Sequence, residues 1–259
     1  MKLRLLAVAL LCLATFQSAL AQLSPAEYKE KYDRQVKALG YAGIGVETIL
    51  DRWGSVYPDD TDMLEGRFFF DLTRSRSTKV RRSPKPRFMG KEPLMTLKDS
   101  TGAPVHFFEE EFYADSLFAS ALRSLERASA LKPDEFLYRA HLLNSLIAKE
   151  KEQPRLSVEE LDALISYDKA RSPQWTYKGQ EMTPGFFGDV VQEYCRLYLD
   201  IDTPESYEAL RRISERMVKL YPARTEFPLN LASYWELAKN NPRKGAAIRK
   251  KVNAKTGKK

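Results

Sequence analysis

The amino-acid sequence predicts an all-α protein, a row of about five helical hairpins with one small β-hairpin let into it. Three observations predict it. Most of the chain carries apolar residues at helical spacing behind recognisable helix starts. Val46, Leu50, Trp53 and Pro58 are spaced 4, 3 and 5, and the spacing returns in Ala121, Leu125, Ala128, Pro133 and in Leu210, Ser214, Met217, Pro222. One segment departs from that period, where residues 94–98 and 104–108 flank Asp99-Ser100-Thr101-Gly102. Of 259 residues 43% are hydrophobic and 30% charged, with 12 Gly and 14 Pro, a composition that excludes collagen-like, low-complexity and disulfide-scaffold chains.

The first residues read Met1-Lys2-Leu3-Arg4, then an apolar run over 5–16, then Ser18-Ala19-Leu20-Ala21. A basic start, a short apolar stretch and small residues before a cut make a secretory signal peptide over residues 1–21, cleaved after Ala21. The run falls short of the roughly 20 residues a membrane-crossing helix needs. Leu11 ahead of Cys12 argues against a lipoprotein site. Cleavage removes Cys12 and leaves Cys195 in a mature chain expected to be periplasmic or secreted. Cys195 lies in an amphipathic helical stretch and reads as a small core residue, because neither His106 nor His141 stands where a base for a reactive thiol would.

Helix starts and stops then order the mature chain. Ser24-Pro25-Ala26-Glu27 is a capping box with proline at the first helical position, Ser157-Val158-Glu159-Glu160 reads as a second box, and Thr203-Pro204-Glu205 opens a third helix in the manner of the first. Stops fall at Leu39-Gly40, Tyr57-Pro58, Lys132-Pro133 and Tyr221-Pro222. Positions i, i+4 and i+7 share one helix face, and a proline five residues later ends the helix, so each triplet is a packing stripe with a built-in terminator. In the third copy Ser214 is polar, and Ile213 is expected to take its packing role.

This spacing resembles the second helix of the tetratricopeptide repeat. The first-helix pattern of that family is matched by Asn230-Leu231-Ala232 with Trp235, and more weakly by Phe187-Gly188 ahead of Tyr194. The resemblance implies antiparallel helix pairs stacked into a right-handed superhelix with a concave binding face. The prolines lie 75 and 89 residues apart, not at multiples of 34, which points to two insertions. The first covers residues 75–109, between a first helix over 62–74 and its partner over 110–131, and holds a basic stretch and the β-hairpin. The second, residues 171–184, is rich in turn formers and aromatics and is expected to be a loop. The repeat domain is thus residues 22–253, and residues 254–259 form a basic, disordered tail.

Net charge is +7, unevenly spread. Residues 74–91 hold eight basic residues and no acid, and residues 243–259 hold eight more. With those sixteen and the two basic residues of the signal set aside, 24 basic face 35 acidic residues, so the helical body is acidic. The two runs read as a solvated loop and tail attracted to that body, or as docking sites for an acidic surface. No nucleic-acid-reading motif accompanies them, so nucleic acid is not an expected partner. Asp59-Asp60-Thr61-Asp62 lacks the glycine and distal glutamate of a calcium loop and follows a helix-ending proline, so it reads as a helix cap. Glu109-Glu110-Glu111 reads as acids at the positive end of the next helix. The glycines of residues 40–45 link the first two helices, and no nucleophile elbow, P-loop, dinucleotide fingerprint or paired-histidine motif is present.

The expected function is that of an exported, non-enzymatic scaffold, monomeric and without cofactor or metal, holding a peptide or protein partner in its concave face. Arg81, Arg82 and Arg87 are expected to steer acidic partners. Phe107, Phe108, Trp175 and Tyr177 are expected to contact the partner, because they lie in insertions the repeat core does not require. The alternative is an envelope-surface module that places Lys250, Lys251, Lys258 and Lys259 on anionic lipid or polysaccharide.

Overall fold

A computed structural model describes residues 22–257. The expected signal segment, with Cys12, and the two lysines Lys258 and Lys259 lie outside the described residues. Among the described residues the chain forms ten helices: α1 (Pro25–Leu39), α2 (Val46–Val56), α3 (Thr61–Ser75), α4 (Asp115–Leu131), α5 (Phe136–Glu150), α6 (Leu156–Arg171), α7 (Phe186–Ile201), α8 (Pro204–Leu220), α9 (Glu226–Leu237) and α10 (Pro242–Thr256). Strands β1 (Arg76–Ser83), β2 (Met95–Lys98) and β3 (Pro104–Tyr113) form one antiparallel sheet in the order β1-β3-β2, and β4 (Thr176–Tyr177) pairs with β5 (Gln180–Glu181). The predicted hairpin is β2–β3, and the basic stretch before it adds a third strand, β1. The chain divides into two compact units, one of residues up to Arg74 with Ala119–Leu131, the other of Ser75–Phe118 with everything from Lys132 on.

The three triplets are where the fold is built. Val46, Leu50, Trp53, Ala121, Leu125, Ala128, Ser214 and Met217 are all 0% exposed, and Leu210 is 1%. The turns behind them repeat. The N–H two residues after each proline donates to the C=O just before it: Asp60 to Tyr57 at 3.1 Å, Glu135 to Lys132 at 3.1 Å, Arg224 to Tyr221 at 3.0 Å. Proline's fixed φ suits the second position of such a turn, and its missing N–H is not needed there. The match extends to the caps of α2 and α8, where Tyr57 (φ −128°, ψ 69°) and Tyr221 (φ −131°, ψ 63°) each donate to the residue four back at 2.8 Å. Ile213 does not replace Ser214; both are buried at 0%, and the Ser214 hydroxyl turns to the Cys195 sulfur at 3.8 Å.

In the first unit Tyr28 stacks on Trp53 with ring centroids 6.1 Å apart, and Tyr32 meets the same indole edge-on at 6.3 Å. The Trp53 Nε1–H donates to Asp60 Oδ2 at 3.2 Å, while Asp60 Oδ1 accepts the Asp62 N–H at 2.9 Å, so the acidic run caps α3. Gly66 lets α1, α2 and α3 converge: a Cβ there would sit 3.0 Å from the Leu50 and Tyr32 side chains. Tyr32 also donates to the Gly66 carbonyl, 34 residues along the chain.

In the second unit α5 packs on α6, α7 on α8 and α9 on α10. Alternate helices are also neighbours. Tyr194 on α7 donates to Asn144 on α5 at 3.3 Å, Gln192 on α7 and Asn230 on α9 exchange hydrogen bonds at 3.1 and 2.8 Å, and Arg216 on α8 reaches Asp162 on α6 at 2.8 Å. Phe136, Leu161, Ile165, Val191, Tyr198 and Phe227 are central to one continuous core.

Four expectations are corrected. The partner of the first helix starts at Asp115, not at residue 110, and Glu109-Glu110-Glu111 lies in β3. Those acids pair with basic β1, a long-range choice that helix-end charge rules cannot register. Ser157 does not cap α6: the helix starts at Leu156, and the Glu150 carboxylate at the end of α5 accepts the Ser157 N–H at 2.9 Å, leaving Ser157 buried to accept from Tyr198 at 3.4 Å. The second insertion carries the β4–β5 turn. Residues 254–256 continue α10, which Gly257 closes in a left-handed conformation.

Candidate functional site

The inserted sheet collects most of the expected contact residues, and its geometry begins at the β2–β3 turn. Asp99 Oδ1 accepts the Thr101 N–H at 2.8 Å, the Thr101 hydroxyl at 2.7 Å and the Ala103 N–H at 3.0 Å. These bonds, the hydroxyl first, hold its carboxyl below the usual range. From there β3 runs back antiparallel to β1 in the register Lys79↔Glu110, Arg81↔Phe108, Arg82↔Phe107. Paired residues share a face. Lys79, Arg81, Phe108, Glu110 and Phe112 therefore lie on one side, which is the side that meets α5: Lys151 bonds Glu110 at 2.7 Å and sits 3.6 Å over the Phe112 ring. Arg76, Thr78, Val80, Arg82, Phe107, Met95 and Leu97 lie on the other, with Val80 67% and Met95 and Leu97 each 54% exposed.

The seven expected site residues separate accordingly. Arg81 is engaged within the molecule, with Glu152 at 3.3 Å, Glu110 at 3.6 Å and the Phe88 ring at 4.4 Å. Arg87 holds Glu92 at 2.7 Å on the loop after β1. Arg82 is exposed and Phe107 half-buried, side by side on the outward face. Phe108 and Trp175 are corrections: at 1% and 5% exposure no partner reaches them. Trp175 stacks on Phe187 at 5.7 Å, meets Phe136 edge-on, and donates its Nε1–H to Asp168 at 2.8 Å, so the second insertion plugs the core. Tyr177 packs half-buried against the same cluster. Sequence position alone made these aromatics seem surplus; their burial comes from the insertion folding back over α5 and α7.

The loop after β1 closes on itself, Phe88 and Lys91 exchanging backbone bonds at 3.2 and 2.9 Å. Gly90 is required there, with φ 73° and its Cβ position only 3.1 Å from Asp200. A cleft of about 410 Å³ lies between this loop and the end of α7, with Arg81, Lys85 and Arg87 facing Glu152, Asp200 and Asp202. Of the eight basic residues between Arg74 and Lys91, Arg74, Arg76, Arg81 and Arg87 hold carboxylates, whereas Lys79, Arg82, Lys85 and Lys91 hold none within ion-pair distance among the described residues.

Elsewhere, Cys195 is fully buried, and that burial pushes its thiol up to about 12. Among the described residues no group of three His, Cys, Asp or Glu is placed to hold a metal ion, and no helix is long and apolar enough to cross a membrane. No protein-family model, curated protein or solved structure matches the chain. What the surface can do is read from its own chemistry. Sequence analysis does not place Thr78, Lys79 and Val80 in a strand; the complementary basic and acidic runs, which pair as β1 and β3, are the signal that could have found it.

Proposed function

We propose that the chain is an exported, non-enzymatic scaffold of tetratricopeptide type that holds a protein or peptide partner. The observation that carries this is the threefold recurrence of one buried triplet with one proline turn behind it. A unit that recurs with the same terminator stacks on its own copies, and the α5–α7–α9 and α6–α8 contacts are the neighbour relations that stacking requires. On this reading the hairpins wind into a right-handed superhelix, and its first helices line a concave face for an extended ligand. Removal of residues 1–21 would deliver the mature chain, starting at Gln22, to the periplasm or medium.

Side-chain footprinting tests the reading. A protein captured from envelope extract should protect residues of α5, α7 and α9 and leave α6 and α8 unchanged; protection on the second helices instead would reject it. One observation favours a second reading: Arg243, Lys250, Lys251 and Lys255 are exposed on α10 with no carboxylate within ion-pair distance among the described residues, so the helix could rest on an anionic envelope surface. Sedimentation with anionic vesicles that disappears at high salt and on deletion of α10 would favour that reading.

A further inference from the structure

We propose that the free edge of β1 takes up an extended acidic segment of a partner protein as a fourth strand. The proposal rests on the partner-binding reading and names where and how one contact is made. β1 is the outer strand of its sheet, with β3 on one side only. The Ala114 N–H donates to the Ser75 C=O at 2.8 Å across the register position next to Arg76↔Tyr113. Antiparallel ladders alternate, so Ser77, Lys79, Arg81 and Ser83 turn their backbone groups toward β3, and Arg76, Thr78, Val80 and Arg82 turn theirs to the open edge. All four of those residues are exposed. Eight residues are enough for a full strand pairing, whereas β2, at the other edge, has four.

Charge decides the occupant. β1 carries Arg76, Lys79, Arg81 and Arg82 and no acid. Pairing with a second copy would gather all those cations into one ladder with no acid between them, and like charges across strands oppose pairing. Basic residues on an edge strand are also a general guard against self-association. That guard does not exclude an acidic strand. The inner neighbour of β1 is one, because β3 sets Glu109, Glu110 and Glu111 opposite Val80, Lys79 and Thr78. Lys79 and Arg82 project to opposite faces with no carboxylate within ion-pair distance among the described residues, Lys85 follows, and Val80 offers an apolar contact between them. The matching ligand is an extended segment with carboxylates toward both faces and an apolar residue near Val80.

The test uses the mature chain and a labelled ten-residue peptide of repeating Glu-Glu-Val, which sets carboxylates on both faces of an extended strand, with the Lys-Lys-Val peptide as control. The Glu peptide should bind at low salt and slow amide exchange of Thr78, Val80 and Arg82, while the Lys peptide should not bind. Val80→Pro removes one edge N–H and leaves the β3 ladder intact, so it should weaken binding at least about tenfold. Arg82→Glu, which asks nothing new of the backbone, should weaken it as well and admit the Lys peptide. Binding without protection of β1, or undiminished in both variants, overturns the proposal. If a captured protein footprints on α5, α7 and α9 in wild type and in Val80→Pro alike, the edge is not the docking site while the scaffold reading stands. A dimer in solution that Val80→Pro dissolves would give the edge to a second copy.

Discussion

Leu50 and Leu125 stand at the same place in two copies of the triplet, each with no exposed surface. Truncation to Ala removes the same atoms from equally closed surroundings. Urea unfolding of Leu50→Ala and Leu125→Ala should each show a loss of about 2–5 kcal/mol. The neighbouring position shows how copies diverge without losing the pattern: Trp53 fills it in the first, Ala128 in the second, Met217 in the third. Ala128→Leu should therefore cost about 1–3 kcal/mol by overpacking. A second residue-scale device is titratable. The Tyr234 hydroxyl donates to Glu208, burial works the other way, and Arg211 and Lys239 add to the pull, holding the carboxyl at about 2. A folded value below the ordinary 4.5 means the tie between α8 and α9 is complete above that pH and is lost as pH falls toward 2. The melting temperature should drop between pH 5 and pH 3, and Glu208→Gln should flatten that drop; an unchanged slope would remove Glu208 from the account.

At the scale of elements, the three prolines make the sharpest comparison. Pro58, Pro133 and Pro222 occupy one turn geometry, so Ala at each should destabilise by a similar, small amount, about 0.4–1 kcal/mol, through the unfolded chain's added freedom. Denaturation curves that separate one of the three by several kcal/mol would show that the turns are not equivalent. Element ends were legible where the cap is local, as at Ser24, whose hydroxyl and backbone exchange bonds with Glu27, and at Thr203. They were illegible where the cap comes from elsewhere. Leu156 and Ser157 rely on Glu150 from the helix before, and Glu135 gathers the N–H groups of Leu137, Lys178 and Gly179 and the Thr176 hydroxyl, fastening the second insertion to the start of α5. Burial alone would raise the Glu135 carboxyl, and those donors together bring it below the usual range. No spacing rule finds a carboxylate three of whose four donors lie more than forty residues away.

Across the whole molecule, neighbour-by-neighbour packing predicts that damage stays local. α10 rests on α9, with Arg249 on Glu236 at 2.7 Å and Lys244 over the Trp235 ring at 3.2 Å, and it buries Val252. A chain stopped after Asn240 should keep its remaining helices by circular dichroism and lose about 1.5–3 kcal/mol, the worth of one buried Val. Collapse of the whole helical signal would contradict such packing. By itself the sequence determined the helical class, the three packing stripes, their terminators and the β2–β3 turn. Each of these is set by contacts within one helical turn or one tight loop, where residue type and spacing decide the energy. Only the tertiary structure decided that acidic Glu109-Glu110-Glu111 would lie along basic β1, that Trp175 and Phe108 would be buried, and that Arg82 and Val80 would remain at the surface. Those outcomes depend on which distant segments meet, and pairing of that kind leaves no periodic trace along the chain.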